Sequence, residues 1–159
     1  MSIYKQYCNE IVDENGRLQK LTLEYPGNFN FGYDVVDKIA DETPEKRALV
    51  WCNVEGEEHI FSFADIKKYS NQMANVFRGE GIGHGDHVML ILKRHYEYWF
   101  AAVALHKLGA VMIPATHMLT VDDFVYRINA SGVKAIVCTA QDDVPSTIKQ
   151  ALRKSEKTP

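Results

Sequence analysis

Between residues 85 and 138 the chain reads GDHVMLILKRHYEYWFAAVALHKLGAVMIPATHMLTVDDFVYRINASGVKAIVC, in which three short apolar runs alternate with two stretches of helical length. The runs at 88–92, 110–113 and 135–138 have the length and composition of strands. Antiparallel neighbours need only a tight turn, whereas parallel strands need a crossover of about a dozen residues, and crossovers of that size separate these runs. The expected core is a parallel sheet.

Flanking residues agree with that reading. Gly109 stands where a helix over 96–108 would end in a left-handed cap. Thr120 can cap the next helix, with Asp122 and Asp123 in a first turn where the helix dipole favours negative charge. Residues 129–132 end that helix, and Pro145 suits the start of a last one carrying Ile148, Ala151 and Leu152. Upstream, Ser62 can cap a helix with Asp65 three residues on, and Phe63, Ile66, Met73, Val76 and Phe77 form an apolar stripe for packing on a sheet. Segments 48–53 and 59–61 flank Glu55-Gly56-Glu57, a hairpin signal. The fold class expected is α/β, a Rossmann-like parallel sheet flanked by helices, with a preceding β-hairpin.

Residues 1–30 are read as an N-terminal helix and an irregular lead-in: a helix over 2–13 capped by Ser2, then turns at Asn15-Gly16 and Pro26-Gly27-Asn28. Helix returns over 33–41 with Val35, Val36, Ile39 and Ala40 on one side, and Pro44 stops it. The terminal RKSEKTP is polar and expected to fray.

Composition narrows the function classes. The 159 residues are 46% hydrophobic and 25% charged, the balance of a globular protein and not of a disordered or fibrous chain. A net charge of −3 leaves no basic footprint for nucleic acid or anionic lipid. No segment approaches the roughly 20 apolar residues that span a bilayer. The opening MSIYKQYCNEIVDENG lacks the charged-then-apolar layout of a secretory signal, so the cytoplasm is the expected compartment. Cys8, Cys52 and Cys138 lack the paired spacing of zinc sites or redox dithiols and are expected as buried thiols.

The segment RGEGIGHGD places glycines at 79, 81, 83 and 85 without making a phosphate cradle. Such a cradle follows a strand and opens a helix, so that helix amides face the anion, whereas these glycines follow a helix and precede a strand. They end a helix and turn the chain. His84 and His87 around Asp86 are a weak ligand pattern, and no metal is expected.

In an open parallel sheet, ligands bind beyond the carboxyl ends of the strands, here Lys93-Arg94-His95, residues 114–118 and the segment from Thr139 onward. Pro114-Ala115-Thr116-His117-Met118-Leu119 joins a rigid entry, a hydroxyl, an imidazole and a thioether in one loop.

GDHVMLIL, the Glu97-Tyr98-Trp99 cluster, ALHKLGAVMIPATHML and DDFVYRI resemble the N-terminal part of adenylate-forming, AMP-binding acyl-CoA synthetases, most of all the medium-chain acyl-CoA synthetase group. FNFGYDVVD, a hairpin, FSFADIKKYSNQMANVF and GIGHGD occur in the same order in that family, so the resemblance covers about residues 28–140. It implies that 31–159 is an incomplete N-terminal subdomain region of such a synthetase.

The resemblance further implies an acid-thiol ligase. Such an enzyme joins a small-molecule carboxylic acid to ATP, releases pyrophosphate, and passes the acyl group from the adenylate to the thiol of CoA. ATP with magnesium and CoA are substrates of the complete enzyme, and none is expected to bind this segment tightly. The family's phosphate loop, adenine motif, ribose-holding acid and C-terminal catalytic lysine have no counterpart here. No catalytic residue is therefore assigned, and the segment alone is expected to be inactive.

Arg94, Glu97 and Trp99 match the family pattern, while Lys93 and Tyr96 stand where related sequences often carry proline. Thr116, His117 and Met118 are implied to lie near the passage shared by nucleotide, acyl group and pantetheine. Arg94 is a fourth substrate-proximal candidate, or a structural cation paired with Glu97 at helical spacing. Surfaces meant for the rest of the domain would expose apolar area and a strand edge, so self-association is expected. Two other readings stand beside this one: a free-standing interaction module that kept the fold and lost the chemistry, and a small nucleotide-binding domain acting alone.

Overall fold

A computed structural model describes residues 3–157 and 159. After a 3-10 turn at Ile3–Gln6, β1 (Cys8–Val12) and β2 (Leu18–Leu23) form a first hairpin. A π-helical segment, Phe31–Asp37, runs into α1 (Lys38–Glu42), and β3 (Arg47–Cys52) with β4 (Glu58–Ser62) makes the second hairpin. There follow α2 (Phe63–Gly79), β5 (His87–Ile91), α3 (Glu97–Leu108), β6 (Val111–Pro114), α4 (Val121–Ser131), β7 (Ala135–Cys138) and α5 (Val144–Lys154).

Strands β6, β5 and β7 lie in that order, both neighbours parallel to β5. The expected parallel α/β core is present. Val88, Met89, Leu90 and Ile91 on the central strand are fully buried, and their alternation sorts them onto two faces. Val88 and Leu90 pack with Phe77, Ala101, Ala104 and Leu105 of α2 and α3, while Met89 and Ile91 pack with Phe124 and Ile128 of α4 and Ile148 and Ala151 of α5. Burial of each such side chain contributes about 1.5–3 kcal/mol, so a one-residue slip of β5 would exchange the two faces and is strongly disfavoured.

Local signals in the sequence take effect as read. Ser62 and Thr120 each close a capping box, with Asp65 and Asp123 accepting from the cap backbone amides at 2.9 and 3.0 Å. Gly109 ends α3 with φ 66°, and a Cβ there would meet Cδ2 of His84 at 2.7 Å. Two separate constraints therefore require glycine.

The N-terminal expectation is overturned. Residues 8–23 are an antiparallel hairpin with Cys8 opposite Leu23 and Glu10 opposite Leu21, where a helix over 2–13 was expected; the Ser2 cap falls outside the described residues. Asp13 Oδ1 accepts from the amides of Asn15 and Arg17, closing the turn around Asn15-Gly16. A short isolated helix, with its costly nucleus, loses to a hairpin whose turn is closed in this way. The helix expected over 33–41 begins earlier, at Phe31, because Asn30 Oδ1 accepts from the amides of Gly32 and Tyr33. The tail does not fray up to residue 157, since the Glu156 and Lys157 amides donate to Asn129 Oδ1. Cys52 is exposed, not buried, because it lies at the end of the second hairpin; Cys8 and Cys138 are partly buried, and all three are free thiols.

Candidate functional site

The connection leaving β5 enters α3 on one face of the sheet, and that leaving β7 enters α5 on the other. Where adjacent parallel strands part in this way, their carboxyl ends open a crevice. Here it has a volume of about 240 Å3 and is lined by Leu92, His95, Glu97, Cys138, Thr139 and Ala140. His95 Nε2 lies 2.9 Å from Thr139 Oγ1, which also accepts from the Gln141 amide at 3.2 Å. Glu97 Oε2 is buried with no hydrogen-bond partner. Burial pushes the Cys138 thiol up from its ordinary range.

Lys93 and Asp142 stand at the ends of β5 and β7, joined by an ion pair of 2.5 Å. Among the described residues these are the two non-glycine positions with left-handed backbone, φ 47° and 54°. Each such conformation costs on the order of 1–3 kcal/mol. Proline, held near φ −65°, cannot take the path of Lys93, so this departure from the family pattern goes with a different corner. Asp142 is held below the usual carboxylate range first by the hydrogen bond from Lys93, then by its charge, with His117 adding to the effect.

The other candidates are placed as follows. Thr116 Oγ1 accepts from the Met118 amide at 3.3 Å, folding the loop on itself, and Met118 is 75% exposed. Arg94 is exposed, and the expected pair with Glu97 is not formed. The Arg94 carbonyl instead accepts from Trp51 Nε1 at 2.5 Å, because the corner between β5 and α3 precedes the helix and does not share its spacing. Trp51, His59 and Phe61 surround Tyr96 at ring separations of 5.4, 5.1 and 5.0 Å, and this packing anchors the second hairpin over the corner. Sequence reasoning missed Glu97 as an unpaired group and missed this anchor. The alternation of Trp51 with Leu49, and of His59 with Phe61, is the only local trace of it.

A larger depression, about 460 Å3, lies at the amino ends of the strands beside Asp86 and Lys134. Its polar groups are already paired: Asp86 Oδ2 meets Lys134 Nζ at 2.7 Å and the Gly83 amide at 2.8 Å. The smaller crevice is at the chemically usual end, beyond the carboxyl ends of the strands. His84 packs on Gly109, and His87 Nδ1 faces the Ser131 carbonyl at 2.5 Å, so that nitrogen carries the proton. Among the described residues no group of three His, Cys, Asp or Glu gathers as metal ligands, and no helix is long and apolar enough to cross a membrane.

Residues 36–159 match the model of the family described as AMP-binding enzyme. The chain belongs to that family. It is 40% identical over 118 residues to human mitochondrial acyl-coenzyme A synthetase ACSM5, a stretch covering 70% of this chain and 20% of the relative. It is 38% identical over 127 residues to human mitochondrial acyl-coenzyme A synthetase ACSM2A, covering 76% and 22%. The chain thus spans about a fifth of the length of these curated relatives. Among solved structures, the N-terminal domain of FACL13 from Mycobacterium tuberculosis is similar with a TM-score of 0.69 at 24% identity, over 82% of this chain and 31% of that one. A benzoate CoA ligase from Burkholderia xenovorans is similar with a TM-score of 0.68 at 19% identity, over 80% and 24%. At those identities the two structures speak for the fold alone.

Proposed function

We propose that this chain is the N-terminal region of an AMP-forming acyl-CoA synthetase. Such an enzyme joins a carboxylic acid to ATP, with magnesium on its phosphates, as an acyl-adenylate, and then moves the acyl group to the thiol of CoA. The observation that carries this reading is the match of residues 36–159 to the AMP-binding family, in a chain whose β5 and β7 ends are joined by the Lys93–Asp142 ion pair. In this proposal, residues 31–159 form part of the catalytic domain. Thr116, His117 and Met118 line the approach of CoA or the acyl group, and Arg94 stands at the rim. The chain alone is inactive, because phosphate binding and the catalytic lysine belong to sequence not among these residues.

A panel of carboxylic acids offered with ATP and CoA to the full-length natural protein tests this, with AMP, pyrophosphate and thioester measured together. Thioester formation by the full-length protein and none by residues 1–159 is the expected pair of results. Acyl transfer by neither directs attention to the second reading, a non-catalytic interaction module, for which an intact mass near that of this chain in the source cell would speak. For the compartment we keep the cytoplasm as the expectation, against relatives whose names place them in mitochondria; imaging of the tagged natural protein decides.

A further inference from the structure

The corner between β5 and α3 is held from outside the sheet. Lys93 has a left-handed backbone, φ 47°, a conformation that persists where surrounding contacts impose it. Within the corner, the His95 amide donates to the Leu92 carbonyl at 2.9 Å. From the second hairpin, 43 positions away in the chain, Trp51 Nε1 donates to the Arg94 carbonyl at 2.5 Å, and the indole meets the Tyr96 ring edge-on at 5.4 Å. That hairpin has a fixed base: Phe61 packs edge-on against Tyr69 of α2 and Phe100 of α3, at 6.2 and 5.2 Å, and Phe100 is buried. Trp51 therefore ties an exposed corner to the helix layer behind it.

We propose that Trp51 is a positioning residue for the synthetase reaction, acting through the backbone of the β5–α3 corner; this rests on the function proposed above. A peptide unit is planar, so pinning the Arg94 carbonyl fixes the plane shared by Arg94 and His95. That plane carries the Arg94 side chain at the rim and the His95 ring, whose Nε2 lies 2.9 Å from Thr139 Oγ1 at the end of β7. A small displacement of groups that orient a substrate costs far more in binding and rate than in folding. One hydrogen bond to an exposed carbonyl, by contrast, contributes little to stability. The loss of the indole donor is thus felt in substrate handling and not in melting.

The full-length natural protein carries the test, with wild type, Trp51→Phe and Ile60→Ala compared. Trp51→Phe keeps an aromatic ring beside Tyr96 and removes the donor. Ile60→Ala trims the exposed outer face of the same hairpin, opposite Val50, and leaves the bond to Arg94 in place. Trp51→Phe should raise KM for CoA or for the acid about fivefold, with kcat changed by less than about twofold and the melting temperature unchanged. Exchange of the His95 amide hydrogen should quicken about tenfold in the same protein. Ile60→Ala should alter neither KM nor that exchange. Unchanged KM or unchanged exchange in Trp51→Phe, or an equal rise of KM in Ile60→Ala, would overturn this proposal and leave the synthetase reading standing. Absence of thioester formation by the wild type would overturn both.

Discussion

Lys107 Nζ lies 2.7 Å from Asp37 Oδ1 at the junction of α3 with the π-helical segment, and only 1% of the lysine side chain is exposed. The contact is a charge pair by distance, although its angles fall outside those of a hydrogen bond. Asn71 Oδ1, 2.7 Å from the same ammonium, takes one proton, and the Tyr33 ring lies 5.7 Å away. Burial pulls the lysine below its ordinary range, and Asp37 opposes that shift. Gly32 permits the close approach, since a Cβ there would sit 2.6 Å from Lys107 Cγ.

Removing one partner leaves a buried charge without its counterpart. Asp37→Ala should therefore lower stability by about 3–5 kcal/mol, whereas the double change Asp37→Leu with Lys107→Met should recover most of the loss. Urea denaturation of the three proteins measures both. A double variant no more stable than Asp37→Ala would mean that the polar contacts themselves hold the junction.

At the mouth of the crevice, Lys93→Pro should cost about 1–3 kcal/mol relative to Lys93→Gly, because glycine relieves the left-handed backbone and proline cannot adopt it. Equal urea midpoints for the two variants would contradict this account of the corner.

Acid stability tests the amino-end pair. Asp86 is held below its ordinary 3.8 first by the hydrogen bond from Lys134, then by the Gly83 amide. A depressed carboxylate binds its proton later in the folded state than in the unfolded one, so its contribution is whole above the ordinary value and is lost as pH falls through the folded value. Lys134→Ala should flatten the fall in stability across that acid window and leave the slope near neutrality unchanged. Chemical denaturation at a series of pH values below about 5 reads the slope.

His117→Ala in the full-length protein should change the Michaelis constant for CoA or for the acid by about tenfold, a loss near 1.4 kcal/mol, with little change in melting temperature. Unchanged kinetics with a lowered melting temperature would make the loop a brace for the fold.

Self-association of the chain should pass through the first hairpin. Val12, Leu18, Leu21 and Leu23 are 51–62% exposed on it, and a two-stranded hairpin with uncovered apolar residues is marginal alone. Sedimentation of the wild type should show species larger than a monomer, and Leu21→Lys with Leu23→Lys should reduce them. A monomeric wild type with little binding of an apolar dye would remove this expectation.

The legible parts of this protein are those where the cause lies within a few residues of the effect. The apolar period of β5, the hydroxyls of Ser62 and Thr120, and the left-handed cap at Gly109 are each written in residues four or fewer positions apart, although the close approach of His84 to Gly109 is not. The parallel sheet, its capped helices and the family pattern could therefore be read directly from the residue order. The first hairpin is not legible in residues 2–13 themselves, because the pairing of Cys8 with Leu23 depends on the Asn15-Gly16 turn that follows them. The site was legible as three loops but not as a crevice. Lys93 meets Asp142 across 49 positions, and His95 meets Thr139 across 44. Such contacts form only once β7 has crossed to the far side of β5. That Glu97 is not paired with Arg94 depends on where the corner turns relative to the helix, which packing against Trp51 and Tyr96 decides.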